Sequence, residues 1–143
     1  MKNISFILGF ALLLSLAACK KDDTPTVQEK TTTLLTSTAA WQGPVVTVDG
    51  VDYSDLYKDF SIKFDKTTYT TTSGAPVWKA SGTWVFLNEE ATLMKMDDNR
   101  EVEINSISND FLELSFQWEE NTFEPGRVSS VKGKQRFKLK KKP

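Results

Sequence analysis

The sequence predicts an all-β protein in which eight short strands, in up-and-down antiparallel order, close into a barrel. From Leu34 onward, apolar residues recur with period two in short runs that turn residues separate. No stretch has the length and apolar spacing of a crossover helix, which excludes a parallel sheet. Closure removes exposed sheet edges and leaves an interior for side chains or one small ligand. A two-sheet sandwich is the competing arrangement.

Eight segments carry the strand pattern, and turn-forming residues bound most of them. They are residues 41–48, 57–64, 67–72, 80–87, 91–96, 100–107, 111–118 and 131–140. The first strand is expected to bend at Gly43-Pro44, because proline is tolerated near a sheet edge or bulge. Leu34 and Leu35 are expected to form one short helical turn at an end of the barrel.

The composition argues against an enzyme. The chain has 143 residues, the length of one domain, with one Cys and no His. Without His there is no Ser-His-Asp triad and no His-ligated metal site, and one Cys excludes an internal disulfide or a Cys cluster. The adjacent acids Asp97-Asp98 and Glu119-Glu120 lie in predicted turns, where they suit solubility better than paired catalysis. We therefore expect no catalytic residues, no metal and no cofactor.

The first 18 residues are expected to form an export signal. Lys2 precedes an apolar stretch over residues 4–18, which is shorter than the roughly 20 residues of a membrane span. The sequence Leu16-Ala17-Ala18-Cys19 resembles the bacterial lipobox. This resemblance implies cleavage between Ala18 and Cys19 and attachment of lipid to Cys19, which is then a membrane anchor. The alternative is a soluble secreted protein with an incidental Cys.

Three further segments follow the signal. Residues 19–33 hold the lipidated Cys and a predicted flexible tether, residues 34–140 the barrel domain, and residues 141–143 a basic tail. The run Lys20-Lys21-Asp22-Asp23 resembles a signal that sends lipoproteins to the cell surface in some Gram-negative bacteria. It implies a lipid-anchored protein on the outer surface of the outer membrane. The alternative is the periplasmic face of that membrane.

The barrel region also resembles a known family. The order of LLT, Trp41, VTVDG, YKDFSIKF, TYTTTSG, GTWVF and REVEINSISNDFLELSFQW is similar to the lipocalin-like domains of bacterial surface lipoproteins. The first-strand Gly-x-Trp of vertebrate lipocalins is absent at Trp41, although a Gly-x-Trp occurs at Gly82–Trp84. The resemblance implies a small calycin-type barrel that binds a hydrophobic or amphipathic small molecule. Function transfers poorly between proteins that share only a fold.

Strand parity selects candidate ligand-binding residues, which are mainly aromatic and are expected to face the barrel interior. They are Trp41, Phe60, Tyr69, Trp84, Phe86, Met94, Arg100, Phe116 and Trp118. The alternative is that the large side chains form an ordinary packed core.

Arg100 is the one charged member of this candidate set. It keeps the parity of Val102 and Ile104, so it is expected to point inward near a barrel end, where it could bind a carboxylate bidentately. The alternative is a frayed strand end, with Arg100 in water or paired with Asp97 or Asp98.

The charge of the chain is segregated. Residues 127–143 contain eight basic and no acidic residues. In the last strand, alternate positions are cationic and are expected to form an outward stripe. The stripe comprises Lys132, Lys134, Arg136, Lys138 and Lys140. It suggests binding to an envelope protein, an anionic glycan or lipid phosphate. The alternative is pairing with acids such as Glu113 on neighbouring strands. Nucleic acid is not an expected partner of an exported lipoprotein.

Overall fold

A computed structural model describes residues 23–120 and 131–143 of the chain. The predicted export signal, the cleavage site at Ala18 and Cys19, and residues 121–130 between the seventh and eighth predicted strands lie outside the described residues. Over the described ranges, no helix has the length and apolar character needed to cross a membrane.

The described residues form one antiparallel sheet that closes on itself. Its strands are β1 (Trp41–Val48), β2 (Val51–Asp52), β3 (Ser61–Phe64), β4 (Thr68–Thr72), β5 (Ser81–Phe86), β6 (Leu93–Met96), β7 (Glu101–Ile107), β8 (Phe111–Trp118) and β9 (Gly133–Lys141). Their order is β2-β1-β3-β4-β5-β6-β7-β8-β9, and β1 also pairs with β9. This last pairing closes an eight-stranded barrel, while the two-residue β2 forms a hairpin with the end of β1. The predicted all-β barrel is confirmed, and the two-sheet sandwich does not form.

The first strand bends where the sequence predicts. Gly43 has a φ of 61°, a backbone conformation that glycine adopts without steric cost. The pairing of β1 with β9 changes register between Gln42 and Val45, as in a β-bulge. The bulge lets β1 curve around the barrel.

The second predicted strand begins later than expected, and this boundary was wrong. A 3-10 helix over Ser54–Tyr57 precedes β3, which starts only at Ser61. The amide of Val46 donates to the Ser54 hydroxyl at 3.0 Å, which holds this helix against β1. The Tyr57 side chain is fully buried. It therefore fits the alternation of buried and exposed residues that predicted a strand, although its backbone is helical. The other predicted strand boundaries agree with the structure to within two residues.

The segment before the barrel is partly helical, which corrects the prediction of a flexible tether through residue 33. Helix α1 spans Val27–Leu35. Thr26 and Glu29 form a capping box, with the Glu29 amide donating to the Thr26 hydroxyl at 3.1 Å and the Thr26 amide donating to the Glu29 carboxylate at 2.7 Å. Leu35 is completely buried. Composition alone predicted disorder, because composition carries no information about a helix cap or about the burial of Leu35.

The barrel has two different ends. At one end, called here the helix end, α1 lies near the β5–β6 turn, and Gln28 donates to the Asn88 carbonyl at 2.9 Å. At the opposite end, called here the mouth, three segments meet: the β4–β5 connection, the β6–β7 turn and the last residues of β8. The mouth holds the candidate functional site.

Candidate functional site

The predicted interior residues do face the interior. Six of them are at most 3% exposed: Trp41, Phe60, Tyr69, Trp84, Met94 and Phe116. Phe86 and Trp118 are partly buried and pack against the same cluster. Strand parity therefore located the core, while contact of these side chains with a ligand stays a prediction.

The rings in the middle of the barrel pack against one another. Phe116 stacks on Phe137 at a centroid distance of 5.9 Å, and Phe60 lies 5.2 Å from the same Phe137 ring. Tyr57 contacts Phe137 edge-on at 5.1 Å. Such contacts are typical of a filled core and support the packed-core alternative for this part of the barrel.

A pocket of about 580 Å³ lies at the mouth, and another of about 530 Å³ lies beside α1, where Phe86 borders it. Val77 of the β4–β5 connection, Arg100 of the β6–β7 turn and Trp118 of β8 contribute to the wall of the pocket at the mouth. Its rim carries Glu101 and Glu119. Its volume falls in the range of small-molecule sites.

Arg100 lies beneath this pocket among three aromatic rings. Its guanidinium carbon is 4.5 Å from the ring centroid of Phe116, 4.9 Å from that of Trp78 and 5.6 Å from that of Trp118. These distances are those of cation–π contacts. Only 8% of the Arg100 side chain is exposed. The inward orientation predicted from strand parity is confirmed, and the frayed, solvated alternative is wrong.

The polar contacts of Arg100 leave one edge of its guanidinium without a hydrogen bond. Nη1 donates to the Val77 carbonyl. Nη2 lies 3.3 Å from Asp98 Oδ2 as an ion pair. Neither Nε nor Nη2 has a hydrogen-bond partner among the described residues, and the same is true of the Trp118 indole nitrogen. Burial lowers the pKa of Arg100 from its usual value, and the charge of Asp98 opposes that change. The predicted pairing with Asp98 therefore coexists with the inward orientation.

Trp78 is a site residue that sequence reasoning missed. It belongs to the β4–β5 connection, yet it is 2% exposed and its ring lies 5.0 Å from Phe116 and 5.8 Å from Phe137. The connection therefore folds into the barrel and places Trp78 under Arg100. Strand periodicity could not find it, because the connection has none. The signal was the apolar pair Val77-Trp78 between the third and fourth predicted strands.

A second polar group lies beside the mouth and joins three elements. Lys79 donates to Asp97 Oδ2 at 3.0 Å, and the Tyr69 hydroxyl lies 3.4 Å from Asp97 Oδ1. The hydrogen bond from Lys79 lowers the pKa of Asp97. Burial, followed by the negative charge of Asp97, raises the pKa of Tyr69 to about 12. Asp97 thus pairs with Lys79, and Asp97 and Tyr69 also act on Arg100, where they add to the effect of Asp98 in favouring its charged form.

The cationic stripe faces outward, as predicted. All five of its residues are exposed and alternate with buried neighbours along β9. Arg136 donates to Glu113 at 2.8 Å, and Lys138 lies 4.0 Å from the same carboxylate. Lys134 lies 3.6 Å from Glu103, and Lys132 lies 3.5 Å from Glu119. Ion pairs therefore engage four of the five charges, and two of them, Arg136 and Lys138, pair with Glu113 on the neighbouring strand β8, as the alternative for this stripe expected.

In the part of the chain that the structure describes, no group of three or more His, Cys, Asp or Glu side chains is arranged to hold a metal ion. No protein-family model, curated protein or solved structure matches the chain. The fold and the candidate site together therefore define the class of protein. The chain is a closed eight-stranded antiparallel barrel, filled at its centre and open at a mouth built around a buried arginine.

Proposed function

We propose that this protein is a non-enzymatic, lipid-anchored protein of the bacterial cell envelope whose lipocalin-like barrel binds a small amphipathic molecule at the mouth. The observation that carries the proposal is Arg100, which is buried among three rings below a 580 Å³ pocket while Nε and Nη2 have no hydrogen-bond partner among the residues that the structure describes. Burying a charge with unused donors is costly unless a partner compensates. A ligand with an apolar part and an acceptor group would supply that partner.

The position of the pocket favours binding at the mouth over binding deep in the barrel. The central rings contact each other, so the interior candidates Trp41 and Phe60 serve mainly as the packed base. Trp118 is partly buried and borders the pocket, which gives an apolar ligand a ring to pack on. Among the predicted ligand-binding residues, Arg100 and Trp118 are those that line it.

Anchoring rests on the sequence around Cys19. The small residues Ala17-Ala18 before the only Cys support lipidation, and the charged run after it supports display on the outer membrane. Two or more acyl chains on one residue give stable membrane attachment. Replacing Cys19 with Ser should move the protein from the membrane fraction to the soluble fraction. Retention of the C19S variant in washed membranes would contradict the anchor.

Native mass spectrometry tests the binding function. The 20–143 fragment, purified without detergent from the bacterium that encodes it, is expected to retain a small molecule, and the Arg100→Met variant is expected to lose it. A folded wild-type fragment that carries nothing, and whose Trp118 indole ¹H–¹⁵N signal is unchanged by an extract of its own cells, would overturn the proposal.

A solid barrel that contacts an envelope protein or glycan is the second candidate. The contacts among the central rings favour it, because a filled core needs no ligand. The cationic stripe would be the surface that contacts the envelope partner, although ion pairs already engage Lys134 and Arg136. Replacing Lys134, Lys138 and Lys140 with Glu should abolish capture of an envelope partner. Unchanged capture would remove this candidate.

A further inference from the structure

We infer that the mouth binds an organic carboxylate carrying a single negative charge, whose carboxylate takes the place that Asp98 holds beside Arg100. This inference rests on the proposed binding function and names the chemical class of the ligand. It follows from the arrangement of donors, from the geometry of the Asp98 contact and from the charge of the rim.

The unused edge of Arg100 has the shape of a carboxylate site. Nε and Nη2 lie on the same side of the planar guanidinium, and their N–H bonds are parallel, so one carboxylate can accept from both. The remaining nitrogen, Nη1, is already engaged by the Val77 carbonyl. Trp118 adds a third N–H without a partner among the described residues. Because each of these groups is a donor, the complementary ligand group is an acceptor.

Asp98 holds this edge only loosely. Its Oδ2 lies 3.3 Å from Nη2, a distance that qualifies as an ion pair, but neither Nη2 nor Nε forms a hydrogen bond with it. The other Asp98 oxygen accepts from the Arg100 main-chain amide at 3.1 Å, which keeps the turn in place. A ligand carboxylate aligned with the Nε–Nη2 edge would form the bidentate pair that Asp98 does not form.

The Nε–Nη2 edge of Arg100 is shielded, so a ligand carboxylate must replace Asp98 to reach it. Nε and Nη2 are both inaccessible to water in this structure. The Asp98 side chain is 23% exposed and borders the pocket, so it is the part of the cover that solvent reaches. We therefore assign Asp98 as an internal competitor, whose carboxylate neutralises the buried Arg100 until a ligand replaces it.

The rim sets the charge of the ligand. Glu101, Glu119 and Glu120 line the pocket together with Asp98, against the cations Lys79 and Arg100. A dianion such as a phosphate monoester would meet more repulsion from these acids than a single carboxylate would. The partly buried Trp118 ring would pack against the apolar body of the ligand.

Three probes with the same alkyl chain test the inference: octanoate, octanol and octyl phosphate. Binding to the 20–143 fragment is followed by the ¹H–¹⁵N signals of the Arg100 Nε–H and the Trp118 indole. Octanoate is expected to bind at least tenfold more tightly than either of the other probes and to shift both signals. Equal binding of octanol, or tighter binding of octyl phosphate, would overturn the carboxylate assignment.

Variants test the competitor role of Asp98. Asp98→Asn keeps an oxygen for the turn but removes the charge, so octanoate affinity should rise severalfold while octanol affinity stays the same. Asp110→Asn, in the exposed β7–β8 turn, is the matched control and should change neither. Arg100→Lys retains the charge but lacks the paired donors, so octanoate affinity should fall about tenfold. Unchanged affinity in both Asp98→Asn and Arg100→Lys would overturn the inference.

Failure of the proposed binding function and failure of the carboxylate assignment give different results. If a retained ligand without a carboxylate is found at the mouth, the binding function stands and this inference falls. If no molecule is retained and none of the probes shifts the Trp118 signal, both fall.

Discussion

The indole nitrogen of Trp41 donates a hydrogen bond to the main-chain carbonyl of Leu35 at 3.0 Å. Both residues are completely buried. The bond joins the start of β1 to the last turn of α1, so the helix and the barrel share one packed core. A segment whose composition predicts disorder is ordered partly by this contact.

Trp41→Phe should therefore destabilise the protein. The Leu35 carbonyl would lose its buried donor, and we expect a loss of about 2 kcal/mol in the free energy of unfolding. Urea unfolding followed by far-ultraviolet circular dichroism measures it. Trp118→Phe is the matched control, because the Trp118 indole nitrogen has no partner among the described residues and should cost less than about 1 kcal/mol. Equal losses in the two variants would contradict the role of the Trp41 bond.

Glu113 is the shared partner of Arg136 and Lys138 on the cationic stripe, and its side chain is only 18% exposed. Glu113→Gln should lower the free energy of unfolding by about 0.5–1 kcal/mol at low salt. The loss should shrink in 1 M NaCl, where the screening length falls to about 3 Å. Asp65→Asn is the control, since both side chains of its pair with Lys63 are about half exposed. A loss for Glu113→Gln that does not depend on salt would argue that packing, not charge, is responsible.

Tyr69 should make the fold sensitive to alkaline pH. Its folded-state pKa is raised to about 12, above the usual 10.0, so the folded state favours the protonated hydroxyl. This contribution is fully present below pH 10 and is lost as the pH rises towards 12, since the unfolded chain releases the proton first.

By pH 11.5 the wild-type protein should lose on the order of 2 kcal/mol more than Tyr69→Phe, which has no hydroxyl to titrate. Urea unfolding at intervals between pH 9 and 11.5 provides the comparison. Parallel pH profiles for the two proteins would show that Tyr69 does not titrate as described.

We expect the small size of Gly74 to be required for the packing of Trp78 inside the barrel. A Cβ at Gly74 would lie 2.6 Å from the Trp78 Cβ and 3.0 Å from the Phe60 ring. Gly74→Ala should cost about 1–3 kcal/mol by overpacking, shift the ¹H–¹⁵N signal of the Trp78 indole and weaken octanoate binding at Arg100.

Gly43→Ala is the contrasting variant for this prediction. Its Cβ would meet no atom within 4 Å, so its cost arises only from the φ of 61°. It should be destabilised without any change in the Trp78 signal or in octanoate binding. A Gly74→Ala protein that keeps the wild-type ¹H–¹⁵N signal of the Trp78 indole would show that the connection has room that the structure does not indicate.

The sequence by itself determined the strands and their faces. Alternation of apolar and polar residues is a local property, and it correctly placed Phe60, Met94 and Phe116 inside and Lys134 and Lys138 outside. It also oriented Arg100 inward. These results follow from backbone geometry, because successive side chains of a strand must point to opposite faces.

Only the tertiary structure decided which distant groups meet. The entry of Trp78 into the barrel, the three rings around Arg100 and the docking of α1 through Leu35 all depend on segments that closure of the barrel brings together. Periodicity carries no information about such contacts, since connections and caps have no repeating pattern. The barrel could therefore be predicted from the sequence, while the construction of its mouth could not.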